Sequence, residues 1–297
     1  MGVLQKFGQM TRTASIAVLL LCLLWQKCEF AALEAWNYGD AGPTHWPYSF
    51  PDCNGPMQSP ININTSTVLY DSSLEPLDIS DYYITSGVHM KLENVGGHTA
   101  EVIVSGTPLY LKGGSLPARY KLEQLHFHWG KNSSVGSEHS INGRFAPAEL
   151  HIVHRQERFS NVGLAAASPH GLTVLSFLFK VGKHNPGYDT LIEHLQEIPE
   201  PDDEVEIPTF PVNDLIPKTF DYYRYEGSLT TPPCYESATW SISLTQVEIS
   251  ESQLRKFRLL HQAEHKPLVD DFRPIQPLNH RTVLVSRRPQ PVWNFPG

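Results

Sequence analysis

Three histidines between residues 120 and 154 are of a type and spacing that could hold one metal ion. The stretch Tyr120-Lys121-Leu122-Glu123-Gln124-Leu125-His126-Phe127-His128-Trp129-Gly130 alternates polar and apolar residues. Alternation is the period of a strand, so Gln124, His126 and His128 share one face, and Leu125, Phe127 and Trp129 share the other. A second alternating run, Ala148 to His154, lines up Glu149, His151 and Val153. Two adjacent strands of this kind would aim three imidazoles at one point. Three protein imidazoles are the ligand set of a catalytic zinc, with the fourth tetrahedral position left to water. Gln124 and Glu149 each precede a candidate ligand by two residues, where they can hydrogen-bond its free ring nitrogen. The competing reading is a polar strand face whose histidines bond water or neighbours. Three histidines at these spacings, with polar supporters beside them, favour the metal.

These strands need a frame, and the rest of the chain predicts one. Lys91–Glu93, Ala100–Ser105 and Leu109–Leu111 read as short strands, with a Gly96-Gly97-His98-Thr99 turn between the first two. Leu172 to Val181 is a continuous apolar run, as in a strand buried on both faces, and Ala238 to Leu244 is another strand. Tyr188 to Ile198 is the best helix, with Leu191, Ile192, Leu195 and Ile198 at helical spacing. Ser250 to Leu260 is a second, capped by Ser250 with Gln253 three residues on. Leu229 to Cys234 cannot be helical, because Pro232 and Pro233 remove donors and restrict the backbone before them. Many strands and few helices predict a mainly β (α+β) single domain around one large sheet.

Composition narrows the function. A net charge of −8 with both signs interspersed argues against a nucleic-acid surface and for a soluble protein. Lys6 and Arg12 precede an apolar run from Ala14 to Trp25, too short to span a bilayer and suited to a secretory signal; an uncleaved anchor is the alternative. The signal is expected over residues 1–30, with cleavage between Cys28 and Ala35, then a catalytic domain over 36–287 and a short tail over 288–297. Cys22 and Cys28 would leave with the signal. Cys53 and Cys234 remain, and an even pair in an oxidising compartment reads as a disulfide. Asn64-Thr65-Ser66 and Asn132-Ser133-Ser134 are glycosylation sequons, consistent with export.

Taken together, Gln58-Ser59-Pro60, the run from Gln124 to Gly130, Ser137-Glu138-His139, Glu149-Leu150-His151 and Ser228 to Pro233 resemble the alpha class of carbonic anhydrases. The match runs in consistent order from about Trp36 to Val285. The resemblance implies a largely antiparallel twisted sheet of about ten strands with zinc at the base of a conical cleft. It implies secretion, and reversible hydration of carbon dioxide to bicarbonate and a proton by a zinc-bound hydroxide. It implies His126, His128 and His151 as zinc ligands, Gln124 and Glu149 as supporters of His126 and His151, and a backbone carbonyl at Asp271 holding the remaining ligand. Thr230 resembles the gatekeeper that donates to Glu138, and His98 the proton shuttle. Val153, Val174, Leu229 and Trp240 resemble the apolar wall for carbon dioxide, with Thr231 and Tyr38 on the water-lined side. Cys53 and Cys234 match the disulfide of the secreted branch. The implied partners are carbon dioxide, bicarbonate and sulfonamide-type inhibitors, with no nucleic acid and no stable membrane insertion.

The chain departs from the family pattern at Ala238, where a larger apolar residue is common, and at Glu101, where an amide is usual. Silent relatives on this fold characteristically lose a zinc ligand, whereas this chain keeps three histidines, Thr230 and Glu138. A structural role in a mineralising matrix would call for acidic or repetitive inserts, which the sequence lacks.

Overall fold

The computed structural model describes residues 36–288. The expected signal, and all but the first residue of the expected tail, lie outside the described residues. Ten strands run in one continuous path: β1 (Leu69–Tyr70), β2 (Val88–Val95), β3 (Thr99–Gly106), β4 (Tyr120–Trp129), β5 (Ala148–Gln156), β6 (Leu172–Val181), β7 (Glu204–Ile207), β8 (Tyr222–Gly227), β9 (Ala238–Ser243) and β10 (Leu284–Val285). Their spatial order is β7-β2-β3-β4-β5-β6-β9-β8-β10-β1, and three further short strands pair off this path to make a sheet of thirteen. The pairing is mostly antiparallel, as expected. It turns parallel between β6 and β9 and between β10 and β1, so the sheet is mixed.

The central strands are buried on both faces. On one side Leu125, Phe127, Leu150, Ile152 and Phe177 meet the helices, among them Leu191 and Leu195 of the segment after Pro186 and Leu254 and Phe257 of the last helix. On the other, Val153, Val174, Ala238, Trp240 and Ile242 form a second apolar cluster, against which the histidine face lies. Among the described residues, four short α-helices edge the sheet: α1 (Trp46–Ser49), α2 (Val162–Ala166), α3 (Asp189–His194) and α4 (Glu251–Phe257). The Ser250 capping box is formed: its hydroxyl accepts from the Gln253 N–H, and the Gln253 side chain reaches back to the Ser250 N–H. The helix expected over 188–198 is instead three pieces, with 3-10 turns at Pro186–Tyr188 and Leu195–Glu197 flanking α3. The segment from Trp36 to Trp46 ends by entering α1, whose second residue is a proline.

His154 shows what a purely structural histidine looks like here. Fully buried on β5, it accepts at Nε2 from the Tyr82 hydroxyl and donates from Nδ1 to the Thr173 carbonyl at 3.2 Å. Burial holds its pKa down to about 3. Below about pH 6.5 the unfolded chain takes up a proton at this histidine that the folded chain refuses. Stability from this residue is therefore complete above that pH and is lost towards about pH 3, at about 1.4 kcal/mol per pH unit. In urea titrations from about pH 7 to pH 4, His154→Phe should unfold with one fewer proton taken up than the parent. An unchanged pH slope would remove His154 from the acid response.

Candidate metal centre and active site

Strand register brings the three histidines together. β5 pairs with β4 so that His151 lies opposite His126 and Glu149 opposite His128. Each ring has one nitrogen engaged by a protein acceptor. His126 donates from Nδ1 to Gln124 Oε1 at 2.8 Å, His128 from Nδ1 to the Asp271 carbonyl at 2.7 Å, and His151 from Nε2 to Glu149 Oε1 at 2.7 Å. These bonds fix the tautomers, leaving His126 Nε2, His128 Nε2 and His151 Nδ1 as lone pairs. The ligand atoms of this triad all lie within 4.8 Å of one another. Two of them, His126 Nε2 and His151 Nδ1, are 3.2 Å apart with no proton to share, and His128 Nε2 is buried without a donor. Lone pairs converging in a dry site repel unless a cation sits among them. A divalent ion with a preference for imidazole fits this donor set.

Electrostatics keep the rings neutral, as ligation requires. Burial lowers the pKa of all three, that of His128 to about 4. Glu149 is a carboxylate in spite of burial, because His139 and His151 hold its pKa well below the usual range. Its Oε1 accepts from His139 Nδ1, His151 Nε2 and Ser176 Oγ, and its Oε2 from the N–H groups of Glu138 and His139 at 2.8 Å. His139 is filled on its other side by the Tyr225 hydroxyl at 2.7 Å, so it offers no free nitrogen.

Glu138 Oε2 lies 3.4 Å from His128 Nε2, and Oε1 accepts from the Arg273 N–H at 2.9 Å. Burial raises the Glu138 pKa, while His151, the Arg273 N–H and the Thr230 hydroxyl pull the other way. Val153, Val174 and Trp240 share one apolar cluster with Ala238, and the Trp240 ring stands 4.8 Å from that of His151. Leu229 is half-buried and packs against Ala165, Ala166 and Leu172. Thr231 is half-buried and accepts at its carbonyl from the Cys234 N–H at 2.9 Å. The buried hydroxyl of Tyr38 feels Glu138 and Asp271, so burial first and these carboxyls second raise its pKa. His98 occupies the β2–β3 turn, its ring close above Gly96, and burial lowers its pKa. Glu101 pairs with Glu93 on one side and His126 on the other, and burial raises its pKa to about 7.

Cys53 and Cys234 are disulfide-bonded. Asn64 and Asn132 are exposed, each accepting the hydroxyl of its own sequon serine. Sequence reasoning gave Arg273 no role. Its guanidinium bonds Gln58 Oε1, the Ser59 carbonyl and the Cys53 carbonyl at 2.8–2.9 Å, tying the Cys53 segment to Glu138. No local pattern marks it, since the partners of its guanidinium lie more than 200 residues away in sequence. His139 and Tyr225 were also missed as supporters, although His139 adjoins Glu138 in one of the quoted motifs.

A large twisted sheet presents a three-imidazole cup, two of its rings buried, beside an apolar wall, and this triad could hold a metal ion. The chain belongs to the eukaryotic-type carbonic anhydrase family, whose pattern matches residues 41–287. It is 38% identical over 261 residues to carbonic anhydrase 7 of Mus musculus, covering 85% of this chain and 97% of that protein. It is 40% identical over 259 residues to carbonic anhydrase 1 of Mus musculus, covering 84% and 98%. To carbonic anhydrase 12 of Homo sapiens it is 35% identical over 283 residues, covering 91% and 79%. Among the described residues, no helix is long and apolar enough to cross a membrane.

Proposed function

We propose that this carbonic anhydrase is an exported zinc enzyme of the secreted branch that reversibly hydrates carbon dioxide to bicarbonate and a proton. The observation that carries the reading is the set of three converging lone pairs, on His126, His128 and His151, each enforced by an acceptor behind its ring. These three residues would hold zinc, which supplies Lewis acidity that makes a water oxygen a usable nucleophile near neutral pH. Thr230, one of the groups that lower the Glu138 pKa, would give its one proton to that carboxyl, leaving its own oxygen as an acceptor. An incoming oxygen nucleophile is thereby oriented with its proton towards Thr230 and a lone pair towards substrate. Val153, Val174 and Trp240, with Leu229 at the margin, give carbon dioxide an apolar rest that needs no hydrogen bond. Sulfonamide-type inhibitors are expected to compete at the same cup. The Cys53–Cys234 bond and the exposed sequons at Asn64 and Asn132 support export through an oxidising compartment. Stopped-flow hydration of carbon dioxide should be fast, be lost on zinc chelation and return with zinc. Hydration at the uncatalysed rate in zinc-replete protein would reject the assignment.

His98 is the proposed carrier of the product proton. With a pKa below the ordinary histidine value it is neutral at neutral pH and can take up a proton. His98→Ala should lower the maximal hydration rate in dilute buffer by about 100-fold, the low end of what a positioned proton carrier contributes, and leave kcat/KM nearly unchanged. Added imidazole should restore much of the loss. A wild-type maximal rate in weak buffer would show that protons leave by another route.

A further inference from the structure

Away from the cup, Glu200, His261 and His265 converge at the edge of the sheet where the turn before β7 meets a small hairpin, His261–Gln262 paired with Lys266–Pro267. His261 Nδ1 lies 2.7 Å from Glu200 Oε1, and His265 Nδ1 lies 2.9 Å from Glu200 Oε2. One carboxylate is thus spanned by two imidazoles, one on each oxygen. The ligand atoms of the three residues all lie within 4.8 Å of one another. The histidine rings cross at 88° with centroids 6.0 Å apart, which leaves both Nδ1 atoms directed at a common carboxylate without stacking.

The backbone is built to hold this arrangement. The fully buried Asn94 donates its amide to the His261 carbonyl at 3.0 Å and the Pro199 carbonyl at 3.4 Å, and the His261 N–H donates to that Pro199 carbonyl at 2.7 Å. Glu200 is fixed by its own N–H, which donates to Asp203 Oδ2 at 2.8 Å. The hairpin turn places two successive non-glycine residues, Glu264 and His265, in the left-handed region, with φ of 63° and 55°. Such a conformation is costly for a side-chain-bearing residue and is found where a side chain must be delivered to a fixed place. Here it returns His265 to Glu200. The hairpin also abuts the His98 turn, since a Cβ on Gly97 would lie 2.8 Å from the Cα of Gln262.

We propose that Glu200, His261 and His265 form a second metal site, for a divalent transition ion of the zinc, copper or nickel type. Two imidazole nitrogens and one carboxylate suit such ions and disfavour calcium or magnesium, which prefer oxygen. The charge required is present, because bonding to His261 holds the Glu200 carboxyl below its usual pKa. His265 is 79% exposed, so the remaining coordination positions face solvent and the ion would exchange freely. The ordinary alternative is a pair of histidine–carboxylate hydrogen bonds like that of His184 with Asp189, where a single imidazole meets the carboxylate and no second imidazole joins.

Equilibrium dialysis of the zinc-loaded full chain against micromolar zinc, followed by metal analysis, tests this. The parent should hold one equivalent more than the His261→Asn/His265→Asn double variant, whatever the occupancy of the His126 triad. Glu200→Gln should weaken the extra equivalent at least tenfold, and His184→Asn should leave it untouched. Thermal unfolding without added zinc should be alike in all four proteins, so that loss of metal is not loss of fold. An equal zinc content in the parent and the double variant overturns the proposal, as does loss of the extra equivalent in His184→Asn.

Discussion

His128→Ala should abolish tight metal binding and carbon dioxide hydration together while leaving the fold in place. His128 is as enclosed as His151 and more so than His126, with Nδ1 held by the Asp271 carbonyl and Nε2 buried without a donor. Removing the ring leaves two donors, too few for a closed tetrahedral set. Replacing a supporting residue behind a ligand typically costs about 10–100-fold in metal affinity, so losing a ligand should cost more than ~100-fold. Hydration should fall to the uncatalysed rate. The surrounding sheet is held by its own apolar clusters, so circular dichroism and the unfolding midpoint of metal-free protein should stay near the parent's. Tightly held zinc with full activity in His128→Ala would sink the ligand assignment.

The second large effect concerns stability. Cys53 and Cys234 close a loop of 181 residues, which on the chain-entropy account is worth roughly 5 kcal/mol. Cys53→Ser/Cys234→Ser should therefore unfold about 10–20 °C lower by calorimetry, and reduced parent protein should fall to match. The variant should still fold, because Arg273 separately clamps the carbonyls of Cys53 and Ser59 and the Gln58 amide. Gln58 in turn bonds the Cys234 carbonyl at 3.2 Å. A midpoint within a degree or two of the parent's would mean that these polar ties already restrain the segment.

The cup was legible because period-2 alternation is a local signal. Gln124, His126 and His128 had to share a face once Tyr120–Trp129 was a strand, and the same holds for Glu149 and His151. What alternation cannot supply is which strands are neighbours and in what register, so the opposition of His151 and His126 came only with the structure. The parallel pairing of β6 with β9 was equally invisible, since a strand buried on both faces reads the same in either direction. The helix over 188–198 was overestimated in regularity. Its apolar spacing is sound, but Pro186 and Gly187 start it as a 3-10 turn, and it tightens to 3-10 again at Leu195. Arg273 and the Asn94 clamp could not be read at all, because each acts through carbonyls distant in sequence.

Every imidazole in the cup is braced from behind by the sheet or by a chain segment crossing it: Gln124 on the same strand as His126, Glu149 on the same strand as His151, and the Asp271 carbonyl behind His128. The bore of the cup is consequently a property of strand spacing and not of the guest. An ion content with tetrahedral geometry enters a socket already cut to size, with little ordering left to do. One that demands a square-planar field must either bend the sheet or accept a distorted shell. Discrimination among metals at this triad would thus rest on the stiffness of a β-sheet, in a cup whose donor atoms alone suit several of them.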